Sequence, residues 1–219
     1  MKSRIHTSRL LVAIALALFT LGQSAFADPA GNITGTETVV LLRHGEKPPH
    51  EIGQLSIKGL NRSLALPAVL IAKYGKPNYI FAPNPAVQVH GKQDSNYYCY
   101  IRPLATIEPT AIQLNLPVNT QIGFNDIQQL QNELTKPTYQ NSLIFVAWEH
   151  VYLDEFAKNL VQACGVDRAT VPAWPSSDYD TIFVIRIQQS GGKPTATFSV
   201  DHEGLTDKLS DMFPAPAAN

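Results

Sequence analysis

The sequence predicts an α/β fold: a three-layer αβα sandwich on a mostly parallel sheet with an antiparallel edge hairpin. Three observations carry that prediction. β-branched and aliphatic runs alternate with amphipathic helical stretches. Two of the runs, at 38–42 and 143–148, are apolar throughout, as strands covered on both faces are. The last two strand-like runs, 181–187 and 195–200, are separated by Ser190-Gly191-Gly192-Lys193, a hairpin turn. The 219 residues are 44% hydrophobic and 16% charged, with a net charge of -1 that excludes the strongly basic profile of a general nucleic-acid binder.

Residues 1–27 read as a secretory signal peptide. Lys2, Arg4 and Arg9 precede an apolar run from Leu10 to Leu21, and Ala25-Phe26-Ala27 is a small-x-small cleavage site. The run is about 12 residues, short of the roughly 20 a membrane-spanning helix needs, so no stable span is expected after cleavage. The expected product is a single domain, 28–219, periplasmic or secreted. It keeps 14 basic against 18 acidic residues, a net charge of -4. No cysteine follows the cleavage site, which argues against a lipid anchor there. Export permits a Cys99–Cys164 disulfide; two free thiols fit the sequence equally well. The histidines form no HxxxH or HExxH pattern and the cysteines no CxxC, so no metal site is expected.

In order, residues 28–36 form a loose lead-in, and Glu37–Leu42 is a buried strand ending in Arg43-His44-Gly45-Glu46-Lys47. Ser56 caps a helix running to Tyr74, which Pro67 should kink or divide. Asn78–Ala82 is a short strand. Residues 83–101 read as an inserted loop carrying His90 and the Tyr97-Tyr98-Cys99-Tyr100 cluster, and long loops of this kind are often functional. A helix from Pro103 to Leu116 follows, with proline in its first turn. Asn125 or Asp126 caps another through Leu134. Ser142–Trp148 is a strand running into Glu149-His150, and a helix from about Tyr152 to Cys164 is closed by Gly165. The tail beyond Leu209 should fray.

Parallel pairing would bring the ends of the 37–42 and 142–148 strands to one edge, where open α/β sheets place their chemistry. Arg43 and His44 would then meet Glu149 and His150, with Arg102 within reach. Two imidazoles and two guanidiniums suit a tetrahedral dianion: arginine offers forked donors for phosphate, and a neutral imidazole can attack phosphorus. GxGxxG, GxxxxGK[ST] and GxSxG are all missing, so dinucleotide, P-loop and nucleophile-elbow readings lack their key residues.

Four segments, in order across 38–163, resemble the histidine phosphatase superfamily, also called phosphoglycerate mutase-like. Leu42-Arg43-His44-Gly45-Glu46-Lys47-Pro48 is similar to its Arg-His-Gly motif, and Gly53-x-Leu55-Ser56-x-x-Gly59 to its Leu-Ser/Thr-x-x-Gly helix start. Arg102-Pro103-Leu104-Ala105-Thr106 is similar to its Arg-x-x-x-Thr, and His150 follows the hydrophobic strand. The resemblance implies a phosphatase working through a phosphohistidine on His44, with Arg43, Arg102 and His150 holding the phosphoryl oxygens. Gly45 would let the backbone pass close to phosphate and Lys47 would steer it. No cofactor or metal is implied, and the partner is a small phosphorylated substrate or a phosphoprotein. For the proton donor, Asp126 matches the family's acid, preceded by Asn and eight residues after Leu116-Pro117-Val118; Glu149 is the rival, facing away if its strand stays extended. The chain departs from the family in Ala82-Pro83, in about 18 extra residues before Arg102, and in Val151 where phytase-like members carry Asp. It also lacks the Trp and Asn that follow the motif in sugar-phosphate mutases, which favours hydrolysis over a mutase reaction. The alternatives are a phosphate- or phospho-ligand-binding protein without turnover on the same fold, and a phosphoglycerate mutase-like phosphoryl transferase.

Overall fold

The computed structural model describes residues 35–190 and 193–214. The expected signal peptide, 1–27, and most of the lead-in lie outside the described residues. The elements in order are β1 (Thr36–Arg43), α1 (Ile57–Tyr74), β2 (Tyr79–Phe81), β3 (Gln88–His90), β4 (Tyr97–Cys99), α2 (Arg102–Leu114), β5 (Val118–Asn119), α3 (Ile127–Leu134), β6 (Leu143–Trp148), α4 (His150–Ala163), β7 (Thr181–Ser190) and β8 (Lys193–His202). Six strands form one sheet in the order β5-β2-β6-β1-β7-β8. β5, β2, β6 and β1 run parallel, while β7 lies antiparallel to both β1 and β8.

The apolar strands are covered on both faces because successive side chains alternate between them. Val39, Leu41, Ile144, Val146 and Trp148 pack under Leu130 and Leu134 of α3 and Leu153, Phe156 and Leu160 of α4. Val40, Leu42, Phe145 and Ala147 face the other way, onto Leu66 and Leu70 of α1 and Ile107 and Ala111 of α2. That is the predicted three-layer arrangement.

Several local expectations change. Pro67 neither divides α1 nor sits at an end; it is buried inside one 18-residue helix. Its ring is buried, and burying apolar surface acts against the cost of the backbone bond a proline forgoes. The 83–101 insertion is ordered around the β3–β4 hairpin, pairing Gln88 with Cys99 and His90 with Tyr97. Its strands are short and largely exposed, so they leave no alternating apolar pattern. β5 is likewise only two half-buried residues beyond Pro117. Cys99 and Cys164 are free thiols, the first exposed and the second buried, so the disulfide does not form.

Candidate active site

β1 and β6 are neighbours in parallel register, with Arg43 opposite Trp148. The next residues, His44 and Glu149-His150, therefore leave the sheet at the same level, and the His44 backbone N–H donates to the Trp148 carbonyl at 2.9 Å. Glu149 keeps an extended backbone (φ -89, ψ 132), but the chain turns into a helix directly after it. α4 begins at His150, two residues earlier than the sequence suggests, with Glu149 as its N-cap. Glu149 Oε2 accepts the N–H groups of Val151 (2.8 Å) and Tyr152 (3.2 Å). Its other oxygen lies 2.6 Å from His150 Nδ1. This turn brings Glu149 and His150 into the same cavity despite their adjacency in sequence.

The cavity, about 780 Å³, is lined at its inner end by Arg43, His44, Arg102, Tyr100, Glu149 and His150. Arg43 and His44 are each 1% exposed and Arg102 4%. His44 Nδ1 sits 2.7 Å from the Gly45 carbonyl. A carbonyl only accepts, so Nδ1 carries the proton and Nε2 keeps a lone pair. Burial, then the Arg102 charge, holds the His44 pKa well below its ordinary value, the Gly45 bond offsetting only part of this. His44 is thus a neutral imidazole with a fixed tautomer.

Arg43 is set from behind by the loop before β7. Its Nη1 donates to the carbonyls of Ser176 (2.8 Å) and Asp178 (2.7 Å), and its guanidinium lies 3.8 Å from the centre of the Tyr179 ring. The loop is itself tied down: Asp178 accepts from the Thr181 hydroxyl at 2.6 Å and from two backbone N–H groups, and Trp174 packs on Phe183. Arg102 opens α2, over the Tyr100 ring at 4.8 Å. Among the described residues, buried Arg43 Nε, Arg102 Nε and Nη1 and the Tyr100 hydroxyl have no hydrogen-bond partner. Unpaired buried donors are costly unless an acceptor joins them. Here the arginine donors belong to side chains that line one cavity around a neutral imidazole, an arrangement suited to a tetrahedral oxyanion.

The motif residues have identifiable mechanical roles. Gly45 N–H donates to Thr106 Oγ1 (2.8 Å), whose hydroxyl donates to the Arg102 carbonyl (2.8 Å), tying the β1 turn to the start of α2. Ser56 caps α1, its hydroxyl accepting from Gly59 N–H. Gly59 has no room for a side chain: an added Cβ would lie 2.3 Å from the Glu46 carbonyl, and one on Gly45 would lie 2.9 Å from the Gly59 carbonyl. The close approach at Gly45 is to α1, which is a packing reason for glycine beside the expected phosphate one. Glu46 is held by buried Arg62 through two bonds, 2.9 and 2.7 Å, and Arg62 also pairs with Glu203.

Arg43, His44, Lys47, Arg102, Glu149 and His150 all line the one cavity. Asp126 does not. It is exposed, and its carboxylate accepts the Gln129 N–H at 3.0 Å as the N-cap of α3. Phe124, two residues earlier, is what that loop contributes to the cavity. Tyr179 and Glu51 are not singled out by the sequence, which leaves the Tyr97–Tyr100 cluster either covering the pocket or packing the inserted loop; Tyr100 lines the cavity. Tyr179, in a Pro/Ser/Asp loop, offers no signal. Among the described residues no group of three or more His, Cys, Asp or Glu could hold a metal ion, and no helix is long and apolar enough to cross a membrane.

No protein-family model matches the chain, and no curated protein matches it in sequence. Solved structures do. SixA from Nakamurella multipartitia, described as a "putative phosphohistidine phosphatase", aligns over 77% of this chain and 96% of its own, at 16% identity and TM-score 0.51. The chain has the phosphoglycerate mutase-like fold. A mycobacterial glucosyl-3-phosphoglycerate phosphatase solved with inorganic phosphate aligns over 74% of this chain and 95% of its own, at 14% identity and TM-score 0.49. A phosphoglycerate mutase from Plasmodium falciparum aligns over 84% and 97%, at 12% identity and TM-score 0.48. At 16% identity the likeness to SixA shows the fold alone.

Proposed function

We propose that the chain is a phosphomonoesterase of the histidine phosphatase type, acting outside the cytoplasm on a small phosphorylated molecule. One observation carries the reading: a buried neutral imidazole, its Nδ1 proton fixed on Gly45, stands in one cavity with arginines whose buried donors are unpaired. The extracytoplasmic location rests on the 1–27 segment.

In this scheme His44 Nε2 attacks phosphorus, the N–P bond forms and the ester O–P bond breaks. Arg43, Arg102 and His150 hold the non-bridging oxygens while the charge redistributes. The leaving oxygen takes a proton from Glu149. Water then attacks the phosphohistidine, giving its proton back to Glu149 as the N–P bond breaks and phosphate leaves, which returns His44 neutral.

Both carboxylates cap a helix, but Glu149 takes the acid role over Asp126 because it lines the cavity and Asp126, exposed at the start of α3, does not. Burial raises the Glu149 pKa, but the bonds from His150 and from the α4 N–H groups outweigh it and hold the carboxyl below its usual range. A bound phosphate dianion beside it acts in the opposite sense and favours the protonated form. The scheme needs Glu149 protonated and His44 neutral, so activity should rise as the pH falls from 8.

The test is hydrolysis of p-nitrophenyl phosphate and a panel of alkyl phosphates between pH 4 and 8. The wild type should release phosphate and His44→Ala should not. Equal rates from the two proteins across the panel would overturn the proposal.

A further inference from the structure

The inner end of the cavity accounts for only part of its lining. Its outer end is built from the motif loop and the inserted hairpin: Lys47 and Glu51 on one side, Gln88, His90 and Lys92 on the other. Lys47 Nζ and Lys92 Nζ both reach the same oxygen, Glu51 Oε1, at 2.8 and 2.7 Å. Two ammonium groups converge there on one carboxylate. The Glu51 carboxyl, raised by burial but lowered more by the two lysines, lies below its usual range and is ionised. The cluster thus keeps one net positive charge.

The inner end has the same composition, since Arg43 and Arg102 stand against Glu149 with His44 neutral. Each end of one cavity therefore has two cations and one anion, in a chain whose net charge is -1. Excess positive charge concentrated in a cleft against the sign of the whole molecule marks a site for a second anionic group.

The hairpin is held at a fixed place relative to the catalytic end. The Gly53 carbonyl accepts from both Ile101 N–H (3.1 Å) and Arg102 N–H (2.9 Å). Gly53 has φ +79, and a Cβ on it would lie 2.1 Å from the Cys99 carbonyl, so the chain segment carrying Glu51 backs directly onto β4. Lys92 is 68% exposed and free to swing onto a ligand, whereas Glu51 is 14% exposed and stays in place.

We propose that Lys47, Lys92 and His90 form a second oxyanion subsite, so that the preferred substrate is a phosphate ester carrying a second phosphate or carboxylate group. This rests on the phosphatase reading of the inner end. The hairpin supplies Lys92 and His90, which makes the insertion a specificity element.

The experiment measures binding of a series of α,ω-alkane bisphosphonates of increasing length, each against the alkyl monophosphonate of the same length. Inhibition of p-nitrophenyl phosphate hydrolysis and calorimetry are read in parallel. At least one spacing should bind the wild type about fivefold or more tightly than its monophosphonate, the scale of one exposed ion pair. Lys92→Gln should erase that gain while leaving monophosphonate binding and p-nitrophenyl phosphate turnover unchanged. No gain at any spacing, or equal weakening of both ligand classes by Lys92→Gln, would overturn the subsite and leave the phosphatase reading standing. A wild type that neither hydrolyses the ester nor binds monophosphonate would instead overturn the phosphatase reading.

Discussion

Tyr179 touches none of the reacting atoms in the proposed scheme, yet removing its ring should slow the reaction. The ring supports the Arg43 guanidinium at 3.8 Å, opposite the two carbonyls that take Nη1. A cation–π contact contributes from about 0.5–1 kcal/mol when exposed to about 2 kcal/mol when desolvated, and Arg43 is 1% exposed. In Tyr179→Leu the two carbonyl bonds remain but the plane of the guanidinium is no longer fixed. With about 1–2 kcal/mol of positioning lost, kcat/KM should fall about five- to thirtyfold. Tyr179→Phe keeps the ring face and should stay within about twofold of wild type. Initial rates on p-nitrophenyl phosphate at several pH values give kcat and KM separately, and thermal melts confirm that both variants fold. Tyr179→Leu with unchanged kcat/KM would refute the reasoning, as would Tyr179→Phe as impaired as the leucine variant.

Further outcomes follow from other parts of the structure. Glu149→Gln should slow alkyl phosphates by about 10²–10⁴ and p-nitrophenyl phosphate far less, because only the poor leaving group needs the proton; equal loss on both would remove Glu149 from the acid role. Gly53→Ala should lower stability in urea by more than about 2 kcal/mol, since it combines a strained positive φ with a clash against the Cys99 carbonyl; a midpoint unchanged from wild type would contradict the contact. Burial pushes the Glu37 carboxyl from its ordinary 4.5 up to about 8. The folded state then holds a proton the unfolded chain has released, so the Glu37 contribution to stability is greatest below about pH 4.5 and declines as pH rises toward 8. Glu37→Gln should flatten that decline in urea melts at pH 5 and 8.5, and a slope as steep as wild type would sink the assignment.

The parts legible in sequence were those whose signal is local or periodic. The β-branched and aliphatic run 38–42 and the apolar run 143–148 suit strands covered on both faces, and their charged C-terminal neighbours mark the edge where Arg43, His44, Glu149 and His150 meet. Ser56 and Asp126 were readable as caps because capping is a short-range hydrogen-bond pattern. That same property made Asp126 ambiguous: a carboxylate that can cap a helix and one that can donate a proton look alike until its partner is visible. Glu149 faces away from His150 only if the strand continues past it, and the start of α4 at His150 removes that condition. The β3–β4 hairpin and Tyr179 were hidden because exposed short strands and a loop residue stacked on an arginine leave no period in the sequence.

Trapping the covalent intermediate tests the central claim most directly. Brief incubation with a phosphate ester, a quench at alkaline pH and peptide mass spectrometry should find one phosphoryl group, labile to acid, on the peptide carrying His44, and none in His44→Ala. Steady hydrolysis by the wild type with His44 unmodified at every quench time, or with the phosphoryl group on another residue, would contradict the account.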